Sequence, residues 1–340
     1  MTFDEVIKRN YESLSANINW WAKFVFHYTD ISNAISILQS GILCSRLKAK
    51  KEHLMKNDNA SYQVIDMTSS AAMSYVRFYF RPLTPTQYFN EGYKHIQLRY
   101  CQDQNANVPI PIFFAFNIEK FLSNPQVKFS PISQAGYGTA MLSGVEEFAN
   151  LPFDKIYSDG PTDEETRKYR HAELLYPTSY PIMDSLEAIL CRNEFEQSML
   201  LALLRKESES LFYKYKSKIR ICRDKMFQKN GLFLQEIHLN QNKVSFSFSD
   251  TYEKRLYEQR QMQKNEIDSL IPIKIVFAFE WKNTRTLLKQ TSVELEFDYQ
   301  KLGGVVFTIP HIEKSTILAV TVSCGSDLIG YKEFILNDII

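Results

Sequence analysis

The sequence predicts an α+β protein of two domains, and three observations carry that prediction. Short strand-like and helix-like segments alternate up to about residue 205, after which a basic segment begins. Beyond Gly231 the polarity alternates along stretches rich in β-branched residues, which is typical of a sandwich or barrel. A chain of 340 residues is also long for one ordinary domain and sufficient for two. We therefore predict a mixed domain over residues 1–205 and a basic helix with a β-rich, sandwich-like domain over residues 206–340.

The first domain contains clear strand candidates and one well-marked helix. The strand candidates are three apolar segments, residues 21–28, 75–80 and 110–117. The third is an uninterrupted apolar run, which predicts a fully buried strand. The first leads into a helix with apolar residues at helical spacing, namely Ile31, Ala34, Ile35 and Leu38. Gly41 follows them and predicts the end of that helix.

The second domain is predicted to begin with a basic helix over residues 206–229. From residue 214 onward this segment contains several lysines and arginines, including Lys214 and Lys218, and a single acidic residue, Asp224. This charge density suits a nucleic-acid backbone, although an exposed connecting helix would have the same composition. A charged segment at residues 252–267 interrupts the later strands and is predicted to be helical.

The composition excludes several classes of protein. The formal net charge is +1, so any binding of nucleic acid must come from a local basic patch. Five cysteines are scattered without a CxxC pair, which predicts free thiols and neither a disulfide framework nor a metal site. No apolar run approaches the roughly 20 residues needed to cross a bilayer, and the charged amino terminus lacks a signal-peptide core. We therefore predict a cytoplasmic protein with no membrane partner and no metal.

Three sequence blocks of the first domain hold the candidate functional residues. In chain order they are FHYTDISNAISILQSGIL at residues 26–43, YVRFYFRPLTPTQY at 75–88 and RKYRHAELLYP at 167–177. Each block alone has an ordinary structural explanation. His27 could be a hydrogen-bonded core histidine, the tyrosines of the second block core rings, and Glu173 an ion-pair partner of Arg170. The three blocks in this order are more specific than any one of them.

Together the blocks resemble the DarT family of ADP-ribosyltransferases, which modify single-stranded DNA and act as toxins. The family has an HxT segment that leads into a pattern xxNLxxILxxGLL, then a YVxFYFxPxxPMLY-like block and an RRxAEFL-like block. The resemblance covers residues 20–205. It implies the ADP-ribosyltransferase fold, in which a split β-sheet surrounds a cleft for NAD, the donor of ADP-ribose. It further implies a role as a toxin or phage-defence effector, with a macrodomain-type antitoxin as partner.

The resemblance assigns roles to residues of the first and third blocks. Glu173 matches the catalytic glutamate, and we expect it at the solvent-facing head of a strand. His27 matches the segment that grips NAD and is expected to donate a hydrogen bond to a ribose hydroxyl. Six more cofactor contacts are predicted, four by family position and two as rings that stack on nicotinamide: Tyr28, Thr29, Ser36, Cys44, Tyr75 and Tyr79.

The chain departs from the family pattern at positions that concern the acceptor. The family places an arginine between the first two blocks, whereas this chain has only Arg46 there, followed by lysines. A lysine does not supply the planar, bidentate fork of arginine. In the second block Leu83 and Thr86 replace the family's arginine and methionine. These changes leave the acceptor open, while NAD remains the predicted donor.

The function that the sequence predicts is mono-ADP-ribosylation of a base in single-stranded nucleic acid, with DNA favoured. Two alternatives stay open: the same chemistry on RNA or protein, and a catalytically degenerate binding module. Basic residues on strands and helices are often no more than exposed cations. The cations that we predict to contact nucleic acid are Arg77, Arg81, Arg170, Lys214 and Lys218.

Overall fold

The structure, a computed structural model, describes residues 1–135, 139–222, 224–284 and 286–336. The chain divides into two compact units. The first unit consists of Met1–Phe89, Pro111–Arg192 and Tyr215–Gln228, and the second of Asn90–Ile110, Asn193–Lys214 and Lys229–Ile340. The boundary predicted near residue 205 falls within a helix, Glu194–Glu207, that belongs to the second unit. A functional domain boundary at that place stays a prediction.

Most helices are short. In chain order they are α1 (Phe3–Ser13), α2 (Ile31–Ser40), α3 (Arg46–Lys51), α4 (Tyr62–Asp66), α5 (Ser70–Met73), α6 (Pro85–Asn90), α7 (Ile118–Leu122), α8 (Val145–Ala149), α9 (Phe153–Ile156), α10 (Glu164–Tyr169), α11 (Glu194–Glu207), α12 (Glu209–Tyr215) and α13 (Tyr252–Lys264). Turns of 3₁₀ helix lie at Asn19–Lys23, Ile96–Leu98, Tyr100–Gln102 and Ile182–Asp184.

The strands belong to several sheets. In chain order they are β1 (Phe24–Asp30), β2 (Ile42–Cys44), β3 (Tyr75–Tyr79), β4 (Pro111–Asn117), β5 (Lys128–Ser130), β6 (Glu173–Pro177), β7 (Ser179–Pro181), β8 (Leu186–Cys191), β9 (Ile219–Ile221), β10 (Leu234–Asn240), β11 (Lys243–Phe248), β12 (Pro272–Asn283), β13 (Thr286–Asp298), β14 (Gly304–Thr308), β15 (Ile317–Cys324) and β16 (Asp327–Ile335).

A seven-stranded sheet forms the centre of the first unit, in the order β5-β6-β3-β1-β4-β8-β9. β1 pairs with β4 along its whole length, from Phe24 to Asp30. With β3, by contrast, the described residues of β1 pair at one position, Phe26 with Tyr79. The sheet therefore separates between β1 and β3 into a four-stranded and a three-stranded part. The predicted α+β class and split sheet are confirmed.

The strongest local signals of the sequence form as predicted. β4 begins at Pro111, and its residues before Asn117 are all buried, as expected for a central strand covered on both faces. α2 begins after Asp30, whose Oδ1 accepts a hydrogen bond of 2.9 Å from the Ser32 N–H. The helix ends at Gly41, whose φ of 71° suits a residue without Cβ.

Two segments fold differently from the prediction. The first strand begins at Phe24 and not at residue 21, because the preceding 3₁₀ turn buries Trp21 under the guanidinium of Arg81 at 4.8 Å. The basic segment 206–229 is not one helix. α12 ends at Tyr215, and β9 then joins β8 as a parallel strand in which Ile219 is buried. Burial of apolar residues in the sheet outweighs the local helical pattern.

The second unit is β-rich, as predicted. It contains a three-stranded sheet, β10-β11-β14, and a four-stranded sheet, β13-β12-β15-β16. Rings from both sheets meet, since the centroid of Phe277 lies 4.8 Å from those of both Phe246 and Phe307. The two sheets therefore pack face to face through aromatic side chains, as in a sandwich. The predicted charged helix is α13, which ends at Lys264.

Two backbone segments of the second unit cross at Gly92 and Gly231. Tyr93 and Leu232 exchange two backbone hydrogen bonds there, each of 2.9 Å. A Cβ built on Gly231 would lie 2.6 Å from the Gly92 backbone, and a Cβ on Gly92 would lie 2.6 Å from the Gly231 Cα. Gly92 also has a φ of 76°, which L side chains rarely adopt. The crossing therefore requires glycine at both positions.

Candidate active site

A buried carboxylate begins β6. The Glu173 side chain is 1% exposed. Arg77 Nε donates to Oε2 at 2.7 Å and Arg77 Nη2 donates to Oε1, while Ser133 Oγ donates to Oε1 at 3.2 Å. A bidentate arginine thus holds an enclosed carboxylate. The expectation of a solvent-facing glutamate is wrong, and the ion-pair partner is Arg77 and not Arg170.

One face of β3 carries side chains that flank this carboxylate. Tyr75, Arg77 and Tyr79 are half-buried on that face, whereas the two residues between them are fully buried on the opposite face. Cross-strand partners point to the same side of a sheet, so Glu173 lies on the side of its partner Tyr79. We refer to these four residues as the Glu173 face. The structure therefore places Tyr79, one of the two predicted stacking rings, opposite the predicted catalytic residue, while Tyr75 lies further along the same face, opposite Pro177.

The electrostatics of the face involve a second arginine. Burial raises the pKa of the Tyr79 hydroxyl; the Arg77 charge opposes this rise, the Glu173 charge adds to it, and the Arg46 charge opposes it. Arg46 Nη1 lies 2.6 Å from both carboxylate oxygens of Asp58. Arg46, the single arginine between the first two blocks, is therefore paired with Asp58, and its charge also opposes the rise in the pKa of Tyr79 on the Glu173 face.

α2 fixes the loop that carries this acid. Asn33 Oδ1 accepts hydrogen bonds from the backbone N–H groups of Lys56 and Asn57, at 2.8 and 3.1 Å. Asn57 Nδ2 donates in turn to Asp30 Oδ1 at 3.0 Å. The asparagine of the first sequence block thus holds the segment just before Asp58 against the start of α2.

His27 lies where β1 and β3 separate. The strands β1 and β3 pair at Phe26 and Tyr79. At the next residue of β1 the His27 ring bridges the two strands, because its Nδ1 lies 3.1 Å from the Arg77 carbonyl oxygen. Burial lowers the pKa of His27 to about 4, against the smaller opposing effect of this hydrogen bond, so the ring is neutral at pH 7. A carbonyl only accepts, so the proton lies on Nδ1 and Nε2 is an acceptor. In this tautomer Nε2 can accept a hydrogen bond and cannot donate one, and a contact of His27 with a ribose hydroxyl stays a prediction.

The other predicted cofactor residues lie on β1, α2 and β2. Thr29 and Ser36 are buried, and Ser36 Oγ lies 3.4 Å from a backbone carbonyl one turn earlier. The Tyr28 ring lies 4.9 Å from that of Phe113. Burial raises the pKa of the Cys44 thiol, which is therefore protonated at neutral pH. A contact of these residues with NAD stays a prediction.

Arg81, predicted to contact nucleic acid, is 1% exposed. Its guanidinium donates to the backbone carbonyls of Pro82 at 2.9 Å, of Ile156 at 3.1 Å and of Ser158. Burial lowers its pKa to about 9. Arg81 therefore holds the segment that precedes α10, and its burial argues against the predicted contact with a strand.

The remaining predicted cations lie on several elements. Arg170 Nε donates to Ser158 Oγ at 3.1 Å, and its Nη2 donates to the Gly160 carbonyl at 2.8 Å. Lys218 Nζ donates to the Leu186 carbonyl at 2.8 Å. Lys214 is exposed and belongs to the second unit, whereas Lys218 belongs to the first. The single basic helix that would have carried both lysines does not form.

Sequence reasoning missed the two side chains that hold Glu173. Arg77 was predicted to contact nucleic acid, and Ser133 had no predicted role. The alternation of YVRFYF does place residue 77 on the same strand face as Tyr75 and Tyr79, so the pattern contained a signal for Arg77. Ser133 lies in an irregular segment that gives no such signal.

A cavity of about 600 Å³ lies elsewhere in the first unit, beside α1. Its lining includes Arg9, Asn10, Phe153, Tyr157 and Asp159, and none of the predicted site residues. Within the ranges that the structure describes, no three His, Cys, Asp or Glu side chains come together as a possible metal site. No helix in those ranges has the length and apolar character needed to cross a bilayer.

The chain matches one protein family over most of the first unit. The family model described as "ssDNA thymidine ADP-ribosyltransferase, DarT" matches residues 26–227, which is more than half of the chain. This span contains β1 from Phe26 onward and the whole of β3 and β6, with the Glu173 face. No curated protein matches the chain.

Solved DarT structures are similar to the chain at low identity. The Thermus sp. 2.9 DarT in complex with ADP-ribosylated ssDNA is 16% identical with a TM-score of 0.47, over 59% of this chain and 93% of that one. A structure of the Thermus sp. 2.9 DarT in complex with NAD+ is 16% identical with a TM-score of 0.45, over 60% of this chain and 98% of that one. The Thermosipho africanus DarTG in complex with ADP-ribose is 14% identical with a TM-score of 0.44, over 54% of this chain and 47% of that one. The family assignment rests on the family model and not on these scores.

Proposed function

The chain belongs to the DarT family of ADP-ribosyltransferases, and from that premise we propose that it transfers ADP-ribose from NAD to a base of single-stranded DNA. The observation that carries the proposal is the Glu173 face. A glutamate at the family's catalytic position is bound by Arg77, lies opposite the half-buried Tyr79 on the neighbouring strand, and shares its sheet face with Tyr75. The first competing acceptors are RNA and protein, because the family's arginine between the first two blocks has no counterpart other than Arg46.

Glu173 is the proposed catalytic carboxylate. NAD supplies an ADP-ribosyl group whose bond to nicotinamide breaks as positive charge develops on the ribose. A carboxylate fixed in an enclosed site stabilises such charge more than it would in water, because it does not reorient and is weakly screened. Glu173 is both enclosed and fixed, so the residues present fit this substrate.

His27 and the tyrosines are the proposed donor-binding groups. His27 Nε2 accepts a hydrogen bond from a ribose hydroxyl, since Nδ1 is already engaged with the Arg77 carbonyl. Tyr75 and Tyr79 offer ring faces on the side of Glu173, where a planar nicotinamide can stack. Further donor contacts are proposed for Tyr28, Thr29, Ser36 and Cys44.

Single-stranded DNA is the proposed acceptor. The family description names ssDNA and thymidine, and one structure of the Thermus sp. 2.9 DarT is a complex with ADP-ribosylated ssDNA. A stacked base in a duplex would have to be flipped before it could reach a buried carboxylate, which favours a single strand. Arg170, Lys214 and Lys218 remain proposed contacts to the strand, and at a net charge of +1 such contacts must be local.

A role as a toxin or phage-defence effector in the cytoplasm is also proposed, with a macrodomain-type antitoxin as partner. Family membership supports this role, because an enzyme that modifies DNA bases needs a means of restraint in its own cell. The partner would remove the mark or cover the site.

The experiment that tests the proposed function uses the purified full chain, radiolabelled NAD, and single-stranded DNA, RNA and a mixed protein substrate. We expect label in DNA that nuclease releases and protease does not. The Glu173→Gln variant keeps the size of the side chain and should lower the rate about hundredfold or more, as the loss of a charge-stabilising group does elsewhere. Label in RNA or protein would change the acceptor, and an active Glu173→Gln variant would contradict the proposed role of Glu173.

A further inference from the structure

We propose that Arg77 is a positioning residue that fixes the Glu173 carboxylate and the His27 ring in one arrangement for ADP-ribosyl transfer. The proposal rests on the proposed function, in which Glu173 is the catalytic carboxylate. Arg77 makes the two contacts through different atoms: its guanidinium binds Glu173, and its backbone carbonyl accepts from His27 Nδ1 at 3.1 Å. One residue of a strand therefore orients two side chains that belong to β6 and β1.

The hydrogen bonds to the carboxylate leave a defined position for substrate. An ionised carboxylate has about four lone-pair positions on its two oxygens. Arg77 occupies one position on each oxygen, and Ser133 occupies a second on Oε1. Among the residues that the structure describes, none takes the second position on Oε2. The arrangement therefore directs one lone pair of Oε2 towards a substrate hydroxyl while the other three hold the group in place.

Arg77 also supplies the positive charge that pairs with the buried carboxylate. A carboxylate that is 1% exposed would favour its neutral form if no cation were near. Burial alone would lower the pKa of Arg77, but the Glu173 charge and hydrogen bond raise it by more, so the guanidinium stays charged beside the carboxylate. The ionised form is the one that stabilises positive charge on a ribose.

A phosphate contact, which the sequence suggested for Arg77, competes with this arrangement. Nε and Nη2 of the guanidinium face Glu173, and Nη2 also donates to Ser133 Oγ at 3.1 Å. A phosphate that used the bidentate fork would have to displace Glu173. The geometry therefore favours positioning, and phosphate binding becomes one outcome of the test.

The test measures transfer from labelled NAD to single-stranded DNA at several pH values and NAD concentrations. Arg77→Met should lower kcat about hundredfold with little change in the KM for NAD, because a misplaced catalytic group slows the chemical step more than binding. The acidic limb of its kcat profile should move to higher pH, because the carboxylate has lost the cation that favours ionisation. Arg77→Lys should keep the wild-type limb but lose about tenfold in kcat, since lysine supplies charge without the fork.

Two further variants make the test independent of folding defects. Lys120→Met removes an exposed ion pair with Glu187, of 3.2 Å, in the same unit and should behave as wild type. Ser133→Ala removes a neutral donor without leaving a buried charge unpaired, and should lower kcat about fivefold with an unchanged acidic limb. If circular dichroism shows Arg77→Met to be unfolded, Arg77→Lys and Ser133→Ala decide the question.

The outcomes separate this proposal from the proposed function. Wild-type kcat and pH profile in Arg77→Met, or in both other variants, would overturn the positioning role. A higher KM for NAD or for DNA at unchanged kcat would also overturn it and would assign Arg77 to phosphate binding. A wild-type chain that transfers no label would instead contradict the proposed function, and would remove the premise of this proposal with it.

Discussion

Each unit contains a buried ion pair, and the two pairs differ in their surroundings. In the first unit Arg77 and Glu173 belong to neighbouring strands, and the side chains are 24% and 1% exposed. In the second unit Lys254 and Glu258 lie one turn apart on α13, 2.9 Å from each other, and are 0% and 4% exposed. The first pair shares its strand face with half-buried tyrosines, and its arginine is partly exposed. The second is enclosed, and Lys254 Nζ also donates to the Tyr299 carbonyl at 3.2 Å.

The difference shows which property marks a candidate catalytic group. Burial of a charge is common to both pairs, so burial alone does not separate a site from an internal structural contact. Burial raises the pKa of Glu258 although Lys254 opposes the rise, as expected for a pair with no open side. The Glu173 pair combines burial with a partly exposed partner and half-buried tyrosines on the same strand face. The comparison therefore predicts effects on stability alone in the second unit and on catalysis in the first.

The largest effect on stability is expected for Lys254→Met. Removal of the lysine leaves Glu258 buried without its cation, which should lower the free energy of unfolding by about 3–5 kcal/mol. The kcat of the folded variant should stay at the wild-type value. Urea denaturation and the NAD transfer assay measure the two quantities. Lys274→Met, which removes an exposed pair with Glu294 in the same unit, is the matched control. A folded Lys254→Met variant without activity would show that the Lys254 pair affects catalysis as well as stability.

A slightly smaller loss of stability is expected for Gly231→Ala. The added Cβ would lie 2.6 Å from the Gly92 backbone, so the two segments must move apart and their paired hydrogen bonds weaken. The free energy of unfolding should fall by about 2–4 kcal/mol, as for other overpacked positions. Gly303→Ala is the control, because a Cβ there meets no atom within 4 Å. Equal stability of the two variants would mean that the crossing tolerates a side chain.

Acidification should weaken the first unit through its half-buried histidines. Burial lowers the pKa of both His27 and His171 from 6.5 to about 4, with the Arg77 charge also lowering that of His171. Between these values the unfolded chain binds more protons than the folded one, so stability is lost as the pH falls from 6.5 towards 4. From pH 7 to pH 5 each histidine should remove about 2 kcal/mol from the free energy of unfolding.

The measurement follows tryptophan fluorescence during urea unfolding at pH 7 and pH 5. A Trp281→Phe background leaves Trp20 and Trp21, both in the first unit, as reporters. His171→Gln should reduce the difference between the two pH values, whereas His238→Gln, at an exposed position, should not. A difference that is the same in both variants would show that His171 does not cause it.

The smallest effects are expected at exposed ion pairs. Lys120 with Glu187 and Lys274 with Glu294 are 3.2 and 3.6 Å apart, with every side chain at least 39% exposed. Each lysine-to-methionine variant should change the free energy of unfolding by no more than about 0.5 kcal/mol. Urea denaturation at low and high salt checks this. If the free energy of unfolding changed by several kcal/mol, the loss of an ion pair would destabilise the protein whether or not the pair is buried.

Local patterns in the sequence predicted most of the first unit. The helix after Asp30, the buried strand β4 and the strand that carries Tyr75 and Tyr79 each follow from residue spacing over a few positions. The three blocks also predicted the family and the residue at the head of β6. The helix and the strands depend on neighbours in sequence, whereas the family and the role of Glu173 follow from the resemblance of the three blocks to DarT proteins.

Contacts between distant residues were not predictable in the same way. Arg77 and Glu173 are 96 residues apart, and His27 and Arg77 are 50 apart, so no local pattern relates them. Arg81 appeared to be an exposed cation because its partners, the carbonyls of residues 156 and 158, lie about 75 residues later. The basic segment was misjudged for the same reason, since β9 forms only where β8 offers an edge.

The most direct test of the account compares the two buried glutamates in one transfer assay. Wild type, Glu173→Gln and Glu258→Gln are incubated with labelled NAD and single-stranded DNA, and folding of each is checked by circular dichroism. We expect nuclease-sensitive label for wild type and Glu258→Gln, and a loss of about hundredfold or more for Glu173→Gln. Undiminished transfer by Glu173→Gln, or loss of transfer by a folded Glu258→Gln, would contradict it.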